Sequence, residues 1–251
     1  MNLALLLAAG FLFLKTGEKF ATQESAGPTV ALLTAYLGQQ TGVPFEPRVL
    51  NDPGPAAEYC AAVKPAAGIV TPGFYLTYGK SLGMEPILEI VRQPIVAERY
   101  VLVTKGAELA TLTNQPIATL LAAEPHFVAR VILQGKLGAT VQLQSITDAE
   151  GAVMDLVEGA KSAAAAVLLE AGTWQVIQAD SELGPQLKVV FTSEELPGNL
   201  VVLFPGSLLA DKLKAALQAT PAELRDSVRV AKFNNLQQDR LQRARALFHG
   251  Q

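Results

Sequence analysis

Short apolar stretches alternate with longer helical patterns along nearly the whole chain, and this alternation constrains the fold more than any other feature. It is the signature of an α/β protein built on mostly parallel sheets, whose strands are buried on both faces and so read as unbroken apolar runs. Asn2–Leu7 reads as a first strand and Ala8–Gly10 as the turn leaving it. Thr29–Gln40 follows as a helix, with Val30, Leu33, Tyr36 and Leu37 at helical spacing and Gly42 closing it. Phe45–Leu50 is a second strand, Ala56–Val63 a short helix, Ala67–Val70 a third strand and Phe74–Ser81 the next helix. Pro86–Val91 and Arg99–Thr104 are then extended, with no helix between them.

From Thr104 the alternation restarts. Strands are predicted at Ile117–Leu120, Thr140–Leu143 and Ala164–Leu168, and helices at His126–Gln134, Asp148–Glu158 and Glu170–Gln178. Leu187–Phe191 and Leu200–Leu203 are extended, and the tail from Ser207 reads as largely helical, broken at Pro221 and at Asn234-Asn235. The pattern predicts two α/β lobes: residues 1–98 with 204–251, and residues 99–203. The crossing segments are Arg99–Thr104 and Leu200–Leu203, and the terminal helices return to the first lobe. A binding cleft is then expected between the lobes, at the carboxyl ends of strands.

Composition removes several classes of function. The 251 residues carry 20 basic and 23 acidic side chains, a net charge of −3, so no basic excess exists to neutralise phosphates along a nucleic acid. Hydrophobic residues make up 50%, enough to outweigh chain entropy and exclude a disordered tail. Cys60 is the single cysteine, which forbids an internal disulfide and a cysteine-built zinc site. His126 and His249 are the only histidines. The apolar run Leu3–Leu14 lacks the charged segment that opens a signal peptide, and it is shorter than the roughly 20 residues of a membrane span. An export signal is therefore expected to be absent from this chain.

Three stretches carry a resemblance. Ala67-Gly68-Ile69-Val70-Thr71-Pro72-Gly73-Phe74-Tyr75 is a strand, a glycine-containing turn and a helix start. Glu98-Arg99-Tyr100-Val101-Leu102-Val103-Thr104-Lys105 is a strand into a second lobe, and Leu196-Pro197-Gly198-Asn199-Leu200-Val201-Val202 a strand returning. In this order they resemble the type 2 periplasmic substrate-binding proteins of ABC transporters, in particular the phosphate/phosphonate-binding branch. The resemblance implies a two-lobed fold, each lobe a mixed, mostly parallel sheet flanked by helices, with two crossing hinge strands. One stretch departs from it. Phosphonate binders of that family present a serine/threonine-rich turn before a lobe-two helix, and Ala122-Ala123-Glu124-Pro125-His126 stands here instead.

Candidate ligand-binding residues follow from position and resemblance together. Thr71 and Tyr75 lie where a strand gives way to a helix N-terminus, whose open N–H groups suit an anion; the plainer reading is that Thr71 caps and Pro72 fills the first turn. Arg99 and Tyr100 begin the crossing strand on opposite faces, so only one can point into a cleft, and Tyr100 is preferred. Glu124 complements a helix dipole, and His126 either starts that helix or donates to a ligand. Glu170 opens a helix; the resemblance gives a carboxylate there the amino group of a ligand, with Trp174 on the same face as a lid or as core. Cys60, among alanines, reads as a buried apolar side chain, and Arg240, Arg243 and Arg245 as the polar side of a surface helix. The chain holds no phosphate loop, nucleophile elbow or metal-binding histidine pair.

The expected protein is a monomeric, non-catalytic, extracytoplasmic solute-binding protein. It needs no cofactor or metal, closes two lobes on a small oxyanion or zwitterion, and presents the closed form to an ABC permease. Other readings keep the fold: an enzyme, for which Glu124 with His126 is the only available pair; a ligand-sensing domain of a longer polypeptide; a binding protein for an unrelated small organic ligand; or a scaffold whose site has degenerated.

Overall fold

The structure, a computed structural model, describes residues 8–17, 21–160 and 164–250. The chain runs through β1 (Ala9–Leu14), α1 (Gly27–Thr41), β2 (Phe45–Leu50), α2 (Pro53–Val63), β3 (Ala67–Val70), α3 (Pro72–Tyr78), β4 (Glu85–Arg92) and β5 (Tyr100–Thr104). It continues through β6 (Pro116–Thr119), α4 (Pro125–Phe127, prolonged by a π-helical turn over Val128–Ile132), β7 (Gln142–Ser145), α5 (Ala149–Glu158), β8 (Ala166–Glu170) and α6 (Ala171–Ala179). The last elements are β9 (Lys188–Thr192), β10 (Leu200–Leu203), α7 (Ala210–Gln218), α8 (Ala222–Ser227), β11 (Val230–Asn234) and α9 (Gln238–His249).

Two compact units result: residues 1–95 with 198–237, and residues 96–197 with 238–251. The first is built on a sheet of order β11-β4-β10-β3-β1-β2, in which β1 pairs in parallel with β2 and β3 while β10 runs antiparallel to β3 and β4. Phe11, Leu12 and Leu14 of β1 are fully buried, as a central parallel strand covered on both faces requires. Phe11 packs with Leu33 and Leu37 of α1, Leu88 of β4 and Leu217 of α7 in one core. Helix α1 ends where Gly42 takes a left-handed conformation, φ 76°, that a side chain would resist.

The second unit has a sheet of order β7-β6-β8-β5-β9, with β6 parallel to β7 and β8, and β5 antiparallel to β8 and β9. Its core gathers Val101, Val103, Val167 and Leu169 from the sheet with Val153 of α5 and Trp174 and Ile177 of α6. Helix α9 belongs here: Leu241 and Ala244 are buried, and Arg240 reaches Glu195 at 2.8 Å.

Several expectations need correction. The turn expected at Ala8–Gly10 is strand from Ala9, paired with β2; Asn2–Leu7 lies outside the described residues. An apolar run with no polar break does not reveal where its strand sits. The tail is not all helix, since β11 adds an edge strand; a register shift between Val230 and Lys232 blurs its alternation of apolar and polar residues. The helix expected over His126–Gln134 is a short α-turn that widens into a π-turn.

The division into units also differs from the expected 1–98 with 204–251, and 99–203. Strand β5 lies wholly in the second sheet and β10 wholly in the first, so the chain passes between units beside these strands, after residues 95 and 197. A third passage follows residue 237, because the apolar face of α9 finds its partners in the second unit. Glu89, only 4% exposed on β4, organises two of these places. Its Oε1 accepts from the Gly198 N–H at 2.7 Å and its Oε2 from the Gln237 N–H at 3.2 Å. Gly198 is required there, because a Cβ would stand 2.4 Å from the Ile90 carbonyl oxygen.

Candidate functional site

Each unit gathers its candidate residues at the carboxyl edge of its parallel strands. In the first unit β1, β2 and β3 end side by side, and β3 delivers Thr71 to the start of α3. Thr71 is nearly buried; its Oγ1 accepts from the Phe74 N–H at 3.3 Å and lies 3.5 Å from Thr16 Oγ1. Pro72 occupies the first turn, whose missing N–H costs nothing there. Tyr75 is 7% exposed and its ring lies along its own helix against Gly79. Thr71 and Tyr75 are thus brought together, with the threonine acting as a cap.

The first unit also holds a cavity of about 420 Å³ that the sequence did not disclose, and neither Thr71 nor Tyr75 lines it. Its apolar floor includes Phe13, Ile69 and Ile90, from three strands of the sheet. Lys15, Arg92 and Arg229 line it from the ends of β1 and β4 and the approach to β11, and none of its described lining residues is acidic. The first turn of α1 also opens on it through Ala26 and Thr29, and Ala26 supplies no side-chain cap to that turn. Each of these groups follows from an ordinary local event, a strand ending or a helix beginning. Only the strand order makes them neighbours.

In the second unit, Tyr100 and Glu170 stand directly opposite each other where β5 pairs with β8. The Arg99 carbonyl accepts from Ala171 N at 2.8 Å, holding the start of α6, and Ser193 Oγ accepts from Tyr100 N at 3.0 Å. Arg99, Tyr100 and Glu170 therefore come together, with the Arg99 side chain exposed. Strand β6 is parallel to β8, so Glu124, before α4, lies at the same edge; it is 6% exposed. Neither Glu124 nor Glu170 makes a side-chain capping bond, although both stand where a helix dipole favours negative charge.

His126 has a different setting. Its Nε2 is 2.9 Å from the Phe248 carbonyl oxygen, and its ring meets the Phe248 ring edge to face at 4.5 Å. Trp174 belongs to the core of the second unit rather than to a lid. Cys60 is buried in α2, and burial pushes its thiol up to about 12, which suits packing and opposes nucleophilic use. Among the described residues no cluster of three or more metal-ligating side chains occurs, and no helix is long and apolar enough to cross a membrane.

Two sheets of this order, each with parallel strands, an antiparallel return and flanking helices, define the fold of the type 2 periplasmic binding proteins. Solved structures that share it cover almost the whole chain. XAC2383 from Xanthomonas citri, bound to ATP, superposes with a TM-score of 0.72 over 97% of this chain and 98% of its own, at 12% identity. PhnD1 from Prochlorococcus marinus (MIT 9301), in complex with methylphosphonate, gives 0.65 over 96% and 98%, at 10% identity. A binding protein component of an ABC phosphonate transporter (PA3383) from Pseudomonas aeruginosa gives 0.63 over 96% and 86%, at 14% identity. These neighbours are similar in fold. No family model matches the sequence, and no curated protein matches it.

Proposed function

We propose that this chain is the extracytoplasmic solute-binding component of an ABC-type transporter, capturing a small oxyanion or zwitterion of the phosphonate kind as its two units close. The observation that carries the reading is the likeness, over nearly the full length, to binding proteins whose ligands include methylphosphonate and whose transporters include a phosphonate system. The carboxyl edges support it, because each unit presents polar groups where strands give way to helices. In this reading Thr71 and Tyr75 shape the first unit's share of the site. Tyr100, rather than Arg99 on the opposite face of the strand, contacts the ligand from the second unit, and Glu124 and Glu170 take its amino group. His126 supports the ligand-facing turn through Phe248. The chain works as a monomer in the periplasm, delivers its ligand to a membrane permease and catalyses nothing. The enzyme alternative would rest on Glu124 with His126, whose Nε2 lies 2.9 Å from the Phe248 carbonyl oxygen.

Thermal melting of the protein with methylphosphonate, aminoethylphosphonate, phosphate and a set of amino acids tests the reading. A ligand at 100 times its dissociation constant adds about 2.7 kcal/mol. At roughly 2–4 °C per kcal/mol for a chain of this size, that is a clear rise in melting temperature. A rise with a phosphonate is the expected result, and no rise with any compound overturns the proposal.

A further inference from the structure

We infer that the first unit carries a further ligand site, at the end of its sheet away from Thr71, for an amphiphilic carboxylate: a single negative charge on a medium-length apolar chain. This site goes beyond the solute-binding reading and stands or falls without it. A cavity of about 640 Å³, within the range of small-molecule sites, is lined by the last turn of α2, the turn after α3 and the turn after β10. Strand order sets its place. Leu203, the last residue of β10, pairs with Ala67, the first of β3, and the Phe204 N–H donates to the Ala66 carbonyl at 3.2 Å. Thr71 follows the other end of β3. Leu82, Phe204 and Pro205 give the cavity an apolar wall, and Cys60, 2% exposed, closes it from α2. Pro205 packs there because Gly83 has no side chain: at φ 62° a Cβ would stand 2.7 Å from Pro205 Cγ.

Charge selects among apolar ligands. Lys64 and Lys80 line the cavity from exposed positions, and no acidic residue shares its described lining. Neither ammonium meets an acidic side chain among the described residues. Both follow helix ends, Lys64 as the C-cap of α2 and Lys80 just beyond the C-cap of α3. The carbonyl ends of those helices carry partial negative charge, which offsets part of the lysines' positive charge. The net field suits one negative charge and disfavours a doubly charged phosphate or phosphonate. A cation is repelled by both ammoniums, and a neutral chain gains the wall alone. A carboxylate with an apolar tail uses both features, its body on Phe204 and Pro205 and its head at the rim, where flexible lysine stems follow it.

The test is calorimetric titration of the full chain with octanoate, hexanoate, 1-octanol and octylammonium, with amide proton–nitrogen spectra to locate binding. Octanoate is expected to bind about tenfold more tightly than hexanoate, from burial of the longer chain, and more tightly than 1-octanol or octylammonium. It should shift the amides of Ala61, Gly83 and Gly206. Lys64→Asn, which suits the φ of 51° there, and Lys80→Gln should each weaken octanoate about threefold, the scale of one exposed charge, and leave 1-octanol unchanged. Ala61→Trp, at an exposed position of α2, fills the cavity and should abolish binding of both. The proposal is overturned if octanoate does not bind, if it shifts the amides of Thr71 and Phe74 instead, or if octylammonium binds as tightly. Unchanged octanoate affinity in both lysine variants overturns it too, as does binding to a folded Ala61→Trp protein. None of these results bears on the melting experiment with phosphonates, so the two readings fail separately.

Discussion

The two units follow one plan at the carboxyl edges of their sheets and furnish it with different chemistry. In the first, the polar residues that follow β2 and β3 are consumed in caps: Asp52 accepts from the Gly54 N–H and Thr71 from the Phe74 N–H. Lys15, Arg92 and Arg229 line a cavity. In the second, the helices after β6 and β8 begin at Glu124 and Glu170, neither of which caps. A net charge of −3 averages these two edges away. A shared topology therefore fixes where a binding surface can form, while the few residues at each strand end decide which charge it prefers.

The largest effect expected of a test on this contrast is in the second unit. Trp174→Ala should cost about 3–5 kcal/mol, the range for truncating a buried aromatic, because the ring is 8% exposed among Val101, Val167 and Ile177. Urea unfolding followed by far-ultraviolet circular dichroism measures it. A loss under about 1 kcal/mol with a large fall in ligand affinity would return Trp174 to the role of a lid and break the distinction between core and edge.

The matching change in the first unit is Glu89→Ala, expected to cost about 3 kcal/mol, because one buried and one part-buried backbone N–H lose a charged acceptor. Hydrogen exchange at Gly198 and Gln237 should accelerate together, at two of the places where the chain passes between units. Independent exchange at the two amides would show that Glu89 does not organise them jointly.

Much of this was legible in the sequence, for a physical reason. Elements with a strong local signal were read within a residue or two: Leu200–Leu203 as a short apolar strand, α1 from its 3.6-residue spacing and its closing glycine, α5 with Asp148 before it. What escaped depends on strand order. Lys15, Arg92 and Arg229 lie far apart along the chain, and they become neighbours only because β1 and β4 end at one edge of the sheet and β11 begins there. Glu89 looked like one charged residue in an extended segment, and its partners lie 109 and 148 residues away. The placement of α9 escaped likewise, since an amphipathic helix reveals that it has an apolar face and not what covers it.

Smaller effects sharpen the comparison at the helix starts. Thr71→Ala removes a cap and should cost about 1 kcal/mol. Glu170→Gln removes a charge without removing a cap and should change stability by less than about 0.5 kcal/mol, while weakening any ligand that carries an amino group. Equal losses of stability from both would mean that the two edges are finished alike, against the contrast drawn above.

The smallest effect at neutral pH belongs to Cys60, and it separates the units directly. The chain has one cysteine and one tryptophan, with Cys60 buried in the first unit and Trp174 in the second. Labelling of Cys60 in urea reports opening of the first unit, and Trp174 fluorescence reports the second; different midpoints would show that they unfold separately. Burial raises the Cys60 thiol from 9.0 to about 12, so between those values the folded chain keeps a proton that the unfolded chain has released. The unfolded state then binds fewer protons, and stability must fall as pH rises through that window, whereas below 9 the thiol contributes no pH dependence. Cys60→Ala removes this contribution, so the variant should lose less stability than the wild type between pH 8 and pH 10. Equal losses would mean that the thiol is reached by water in the folded protein, and that the first unit is less tightly closed around α2 than the burial of Cys60 shows.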